Sequence, residues 1–286
     1  MERRRMVGLG VALAVAAGGL PAGGAAAESS AERGDYLVNT VMACGNCHTP
    51  VGPNGPMMER ALSGGLRFET PDFTVHAPNI TQDAATGIGG WSDAEIKRAI
   101  VEGVRPDGAL LAPVMPTTFY QVLTGDDLDA IVAYLRTVPA VEATTPPRSF
   151  SALPEAHPFP GAEAPIPEAE RAADVVRNGF YLATIAHCME CHVAWTPTGP
   201  DPVNGLGAGG REFPGPWGVS VASNITSHPE HGLGGWSDEE IARAITTGVS
   251  RDGSRLKPPM GFGYYAGMTP EDVGAIVAWL RTLPPR

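Results

Sequence analysis

The four cysteines of this chain fall in two pentapeptides, Cys44-Gly45-Asn46-Cys47-His48 and Cys188-Met189-Glu190-Cys191-His192. Thiols three residues apart share one side of a helical turn, and in both cases an imidazole follows at once. Four chemistries use such a pair. A disulfide within each pair would be redox-active but leaves the histidine without a role. A single four-thiolate zinc site would have to join clusters 144 residues apart and would ignore their repetition. Cysteines that merely pack have no reason to recur in matching places. The fourth use is covalent attachment of haem c, in which both thiols form thioethers and the next imidazole reaches the iron. This use accounts for the histidine as well as the thiols. The expectation is two covalent haem c groups, one on Cys44 and Cys47 and one on Cys188 and Cys191, with His48 and His192 as iron ligands.

The sixth ligand follows from a repeat that runs through the chain. Shifted by 145 residues, NIT at 79–81 falls on NIT at 224–226, and GIGGWSDAEIKRAIVEGV at 87–104 falls on GLGGWSDEEIARAITTGV at 232–249. AIVAYLRTVP at 130–139 falls on AIVAWLRTLP at 275–284, whereas the cysteine clusters align at 144. Of nine methionines, only Met115 has a methionine counterpart, Met260. Both stand in proline-bearing loops that would cross the distal haem face. A thioether opposite the histidine fills the iron's coordination shell and raises its reduction potential. Met115 and Met260 are therefore the expected distal ligands. Trp91 and Trp236, and Asn79 and Asn224, also repeat. Their N–H groups are candidates for the haem propionates, against the simpler roles of core packing for the indoles and turn formation for the amides. Arg98 and Arg243 sit opposite the isoleucines of a helix, which places them on a solvated face.

Each half must supply helices to hold these groups. One helix is expected to lead into each cluster, over roughly 31–43 and 168–187. A second starts at Ser92 or Ser237, where Glu95 and Glu240 complete capping boxes, and stops at Gly103 or Gly248. A third follows Thr124 or Thr269, with Leu128, Ile131, Val132 and Leu135 on one face, and Val273, Ile276, Val277 and Leu280 likewise. Long glycine- and proline-rich loops and a thin core in each half call for a bound group to pack around. Between the halves, residues 139–167 are rich in proline, alanine and glutamate and read as an extended connector.

Residues 1–27 read as a secretory leader: Arg3, Arg4 and Arg5, a short apolar run, then Ala25-Ala26-Ala27. No later stretch has the length and apolarity to cross a membrane. The formal net charge is −11, and loss of the leader would make it more negative. That excludes a phosphate backbone as a natural partner and suits either a basic docking patch or simple solubility.

Two CxxCH units, NIT before GxGGWSDxEI, a late PxM and AIVAYLRT together resemble class I cytochrome c domains. They are similar in particular to the multihaem cytochrome c subunits of periplasmic or membrane-bound alcohol, gluconate and aldehyde dehydrogenases. The resemblance spans nearly the whole chain after the leader. It implies a mostly α-helical fold of two tandem haem domains, at 28–138 and 168–286, each with about three main helices, joined by the linker at 139–167. It implies the axial pairs His48/Met115 and His192/Met260. It also implies a periplasmic chain that carries electrons from a partner dehydrogenase, as donor, to a downstream cytochrome or oxidase in the respiratory chain. Two haem motifs rather than three, and no membrane-binding tail, set the chain apart from many such subunits. The competing function is a dihaem enzyme, a peroxidase or small-molecule oxidoreductase, which would need one displaceable sixth ligand.

Overall fold

The computed structural model describes residues 29–150, 159–197, 199–215 and 217–286. The leader expected at 1–27 lies outside the described residues. The first half opens with α1 (Ser30–Tyr36), a π-helical turn (Leu37–Val41) and α2 (Gly45–His48). Two hairpins follow, β1–β2 (Val51–Gly52, Gly55–Pro56) and β3–β4 (Arg67–Glu69, Phe73–His76), then α3 (Asp93–Glu102), α4 (Thr117–Tyr120) and α5 (Gly125–Leu135). After β5 (Ser149–Phe150) and α6 (Glu168–Ala173) the order repeats: α7 (Val175–Ile185), α8 (Cys188–His192), β6–β7 (Trp195–Thr196, Gly199–Pro200), β8–β9 (Glu212–Gly215, Gly218–Val221), α9 (Asp238–Thr247), α10 (Phe262–Tyr265) and α11 (Pro270–Leu280). Helix predominates, and the strands are short antiparallel ribbons.

The expected caps are present. The side chains of Ser92 and Ser237 accept from the N–H groups of Glu95 and Glu240, and Gly103 and Gly248 end their helices in the left-handed conformation. Elsewhere the structure departs from the expectation. The helix read over 168–187 is two helices. At Asp174 the backbone is extended, and the carboxylate caps the N–H groups of Val176 and Arg177. A run rich in glutamate and alanine hides that break, because Asp is as good a cap as it is a poor interior residue. The loops after each cluster are organised by their hairpins. Pairing of Phe68 with Val75 recurs as Phe213 with Ser220, 145 residues on.

The shift from 145 to 144 residues at the clusters also has a structural cause. In the first half the helix widens, with the N–H of Met42 donating to the carbonyl of Leu37, five residues back. In the second half Ala186 bonds Leu182, four back. A π turn absorbs one extra residue in this way.

Within each half the first and last long helices cross at a glycine. A Cβ on Gly34 would stand 1.9 Å from the carbonyl oxygen of Ala130, and one on Gly179 would stand 1.9 Å from that of Ala275. The core is continuous across both halves: Leu37, Val41, Ile131, Tyr181, Ile185 and Ile276 belong to one buried cluster. The thin separate cores expected from the sequence are thus one shared core. Helix α4 packs on α7, and α10 packs on the Leu37–Val41 turn, so each half's short helix rests on the other half's leading helix. Asp127, 5 % exposed, joins the halves through Arg33 (3.0 Å), Arg171 (3.1 Å) and the Tyr181 hydroxyl. Tyr36 adds a bond to Asp272.

The described parts of the connector follow the body. The N–H of Val141 donates to Thr81, Ser149–Phe150 extends the β3–β4 ribbon, and Phe159, Ala162 and Ile166 are buried. Proline supplies the extended shape, and the spaced apolar residues attach it.

Candidate functional site

Each cysteine cluster starts from a residue in the left-handed region, Ala43 (φ 49°) or His187 (φ 44°). This kink detaches α2 from the preceding π turn and α8 from α7, and lets each run as a single separate turn. All four cysteines are free thiols. Burial pushes each of them up to about 12, with Cys47 adding to the effect on Cys44, and Glu190 adding to that on Cys47. They stand as neutral packed thiols, which speaks against exchange-active thiolates.

The histidines are held identically. Nδ1 of His48 donates to the carbonyl oxygen of Pro78 at 2.8 Å, and Nδ1 of His192 donates to that of Ser223 at 2.7 Å. A carbonyl only accepts, so Nδ1 carries the proton and Nε2 is left with a lone pair. Burial lowers both imidazoles below the usual histidine range, against the opposing effect of these bonds. Fixing one ring nitrogen so that the other faces a metal is how proteins prepare a histidine ligand. The two carbonyls lie 145 residues apart, each just before the NIT asparagine, so the motif serves the ligand one residue ahead of it.

Met115 and Met260 immediately precede the loops into α4 and α10. They pack against the same core as Cys44, Cys188, Trp91 and Trp236. By contrast, Met42, Met189 and Met268 are buried within that core, and Met58 is exposed. The repeated asparagines are engaged in their own turns. Asn79 accepts from the N–H of Thr81 and donates to Thr86 and to the carbonyl of Val141. Asn224 accepts from Thr226 and donates to the carbonyl of Arg286. A propionate contact by Asn79 would have to replace one of its two donor bonds. Trp91 carries the Arg105 guanidinium over its ring at 5.3 Å. Arg98 pairs with Glu102 at the surface.

Sequence reasoning passed over Arg136 and Arg281. Arg136 donates to the carbonyl of Trp91 and to Asp93, and Arg281 to the carbonyl of Trp236 and to Asp238. Each ties its last helix to the tryptophan loop and to the start of α3 or α9. The signal was available, since both lie in the repeated LRT.

The two clusters face one another across the contact between halves. The Asn46 side chain donates to the carbonyl of Pro259 at 3.3 Å, and a Cβ on Gly45 would stand 2.9 Å from the Tyr264 hydroxyl. Tyr120 and Tyr265, both buried, lie close enough to feel charge on cysteines of the opposite half as well as their own surroundings.

Curated relatives are consistent with this geometry, although no family model matches the chain. The fructose dehydrogenase cytochrome subunit of Gluconobacter japonicus is 30% identical over 285 residues, covering 92% of this chain and 54% of the relative. A diheme cytochrome c-type protein of Cereibacter sphaeroides is 28% identical over 315 aligned residues, covering 99% of both chains. The gluconate 2-dehydrogenase cytochrome c subunit of Pantoea cypripedii is 27% identical, over 88% of this chain and 59% of the relative. The chain spans about half the length of the dehydrogenase subunits it matches.

Proposed function

We propose that this chain, a relative of cytochrome c subunits and of a dihaem cytochrome c, is itself a two-haem electron-transfer protein that takes electrons from a partner dehydrogenase. The observation that carries the reading is the paired histidine geometry: after each CxxC, a carbonyl takes the Nδ1 proton and leaves Nε2 for iron. Cys44 and Cys47 would hold one haem c, and Cys188 and Cys191 the other. His48 with Met115, and His192 with Met260, would be the axial pairs. When bound, each haem supplies one-electron chemistry at iron.

The chain's own residues do the rest. Pro78 and Ser223 fix the imidazoles. The methionine loops fill the distal positions, which favours a closed carrier over a catalyst. Arg136 and Arg281 hold the loops of Trp91 and Trp236, whose indoles are the best-placed candidates for propionate contacts. In this reading 28–138 and 168–286 are tandem class I cytochrome c-like domains joined by 139–167. The chain is exported to the periplasm and delivers electrons to a downstream cytochrome or oxidase. Among the described residues no helix is long and apolar enough to cross a membrane.

The test is expression with a cytochrome c maturation system. Two covalent haems per chain, no spectral change when carbon monoxide is added to the reduced protein, and reduction by a co-encoded dehydrogenase are expected. A colourless product would refute haem attachment. A strong carbon monoxide shift at one haem would favour the dihaem enzyme instead.

A further inference from the structure

The two clusters differ in one charged residue. The position held by neutral Asn46 in the first cluster is held by Glu190 in the second, and the position of Ala43 is held by His187. The Glu190 carboxylate accepts from Nδ1 of His187 at 3.0 Å, and its side chain is 26% exposed. Its backbone carbonyl accepts from Arg211 at 3.2 Å. These two contacts hold the residue within the cluster, on the side where α4 of the first half packs against α7 of the second. The charge reaches both ways. Glu190 raises Cys191 in its own cluster and Cys47 in the opposite one, and also Tyr120 and Tyr265 on either side of the contact. Arg211, stacked over Trp195 and Phe213, opposes it at Cys191. At Cys47 Glu190 is the charged neighbour that matters, and no cation offsets it there.

We propose that Glu190 sets the reduction potentials of both iron centres, lowering that of the first half from across the interface as well as that of its own half. A fixed negative charge in a half-buried site favours the more positive ferric state over the ferrous one. Net charge near the iron is one of the levers by which a protein sets a haem potential. Glu190 makes no contact with substrate and acts through the irons, so it is a positioning residue in the electrostatic sense. Placed between the centres, a single carboxylate keeps both low enough to be oxidised by the same acceptor.

The inference rests on the two-haem reading. The experiment is a spectroelectrochemical titration of the intact holoprotein, wild type against Glu190→Gln, Glu190→Asn and Glu190→Asp. The first half carries an amide at this very position, so at least one neutral variant is compatible with the fold. In the neutral variants both midpoint potentials should rise. The ferrous-to-ferric ratio at fixed applied potential should increase about threefold to tenfold at each centre, and tenfold is about 59 mV for one electron. Glu190→Asp, which keeps the charge, should leave both near wild type. If only one midpoint moves, or neither does, or Glu190→Asp shifts both as far as the amides do, the proposal is overturned. A wild-type product without covalent haem would instead overturn the two-haem reading, so the two failures are distinguishable.

Discussion

Replacing Asp127 by asparagine tests whether the halves are locked as the structure has them. The substitution keeps the side-chain shape and removes the charge. It leaves Arg171, whose side chain is 10% exposed, and Arg33, 27% exposed, without their shared counter-ion. Removing one partner of a buried pair costs about 3–5 kcal/mol. Because Arg33 can turn to water, the lower end applies, about 3 kcal/mol, or a fall in melting temperature of about 6–12 °C for a chain of this size. The pH dependence follows from the carboxyl. Burial alone would raise it, but the Arg33 guanidinium, the Tyr181 hydroxyl and Arg171 outweigh burial and hold it below the usual carboxylate range. A depressed carboxyl stabilises the fold above its unfolded value, about 3.9. That stabilisation is lost as the pH falls through the folded value. Urea denaturation of the holoprotein, followed by circular dichroism from pH 7 to pH 3, should therefore show a large gap between wild type and Asp127→Asn at neutral pH. The gap should close below about pH 4. Adding Arg171→Met should shrink the cost of the asparagine, since the stranded cation is then gone. A variant within about 1 kcal/mol of wild type at pH 7, or a gap that persists at acid pH, would refute the buried lock.

Four further outcomes are expected. Gly34→Ala and Gly179→Ala should each destabilise by about 1–3 kcal/mol in thermal melts, even after the roughly 1 kcal/mol that alanine gains as the better helix former, because the added methyl meets a carbonyl oxygen. Met115→Ala and Met260→Ala should each open one iron to carbon monoxide and lower one of two midpoint potentials in a redox titration, leaving the other haem closed; an unchanged spectrum would remove that methionine from the ligand set. Cys44→Ala with Cys47→Ala should reduce covalent haem from two to one per chain by pigment analysis and mass. Arg281→Met should cost about 1–3 kcal/mol through the lost bonds to Asp238 and to the Trp236 carbonyl, read as a lower denaturation midpoint.

Sequence alone determined the local features. Helix caps at Ser92 and Ser237, stops at Gly103 and Gly248, the thiol spacing and the pairing of Met115 with Met260 are written within a few residues or are exposed by the internal repeat. Such features depend on backbone hydrogen bonding and side-chain reach along a short stretch. Tertiary structure decided what depends on atoms distant in sequence. The Pro78 and Ser223 carbonyls that orient the imidazoles are thirty-odd residues from them, and any residue type offers a carbonyl, so no side chain announces the role. The π turn at Leu37–Val41 could be inferred only as one residue of slippage, because its cause is helix packing. The meeting of the two clusters, the shared core and the burial of Asp127 come from long-range contact between halves. Each is the outcome of one global packing arrangement, which neither half's hydrophobic pattern specifies by itself.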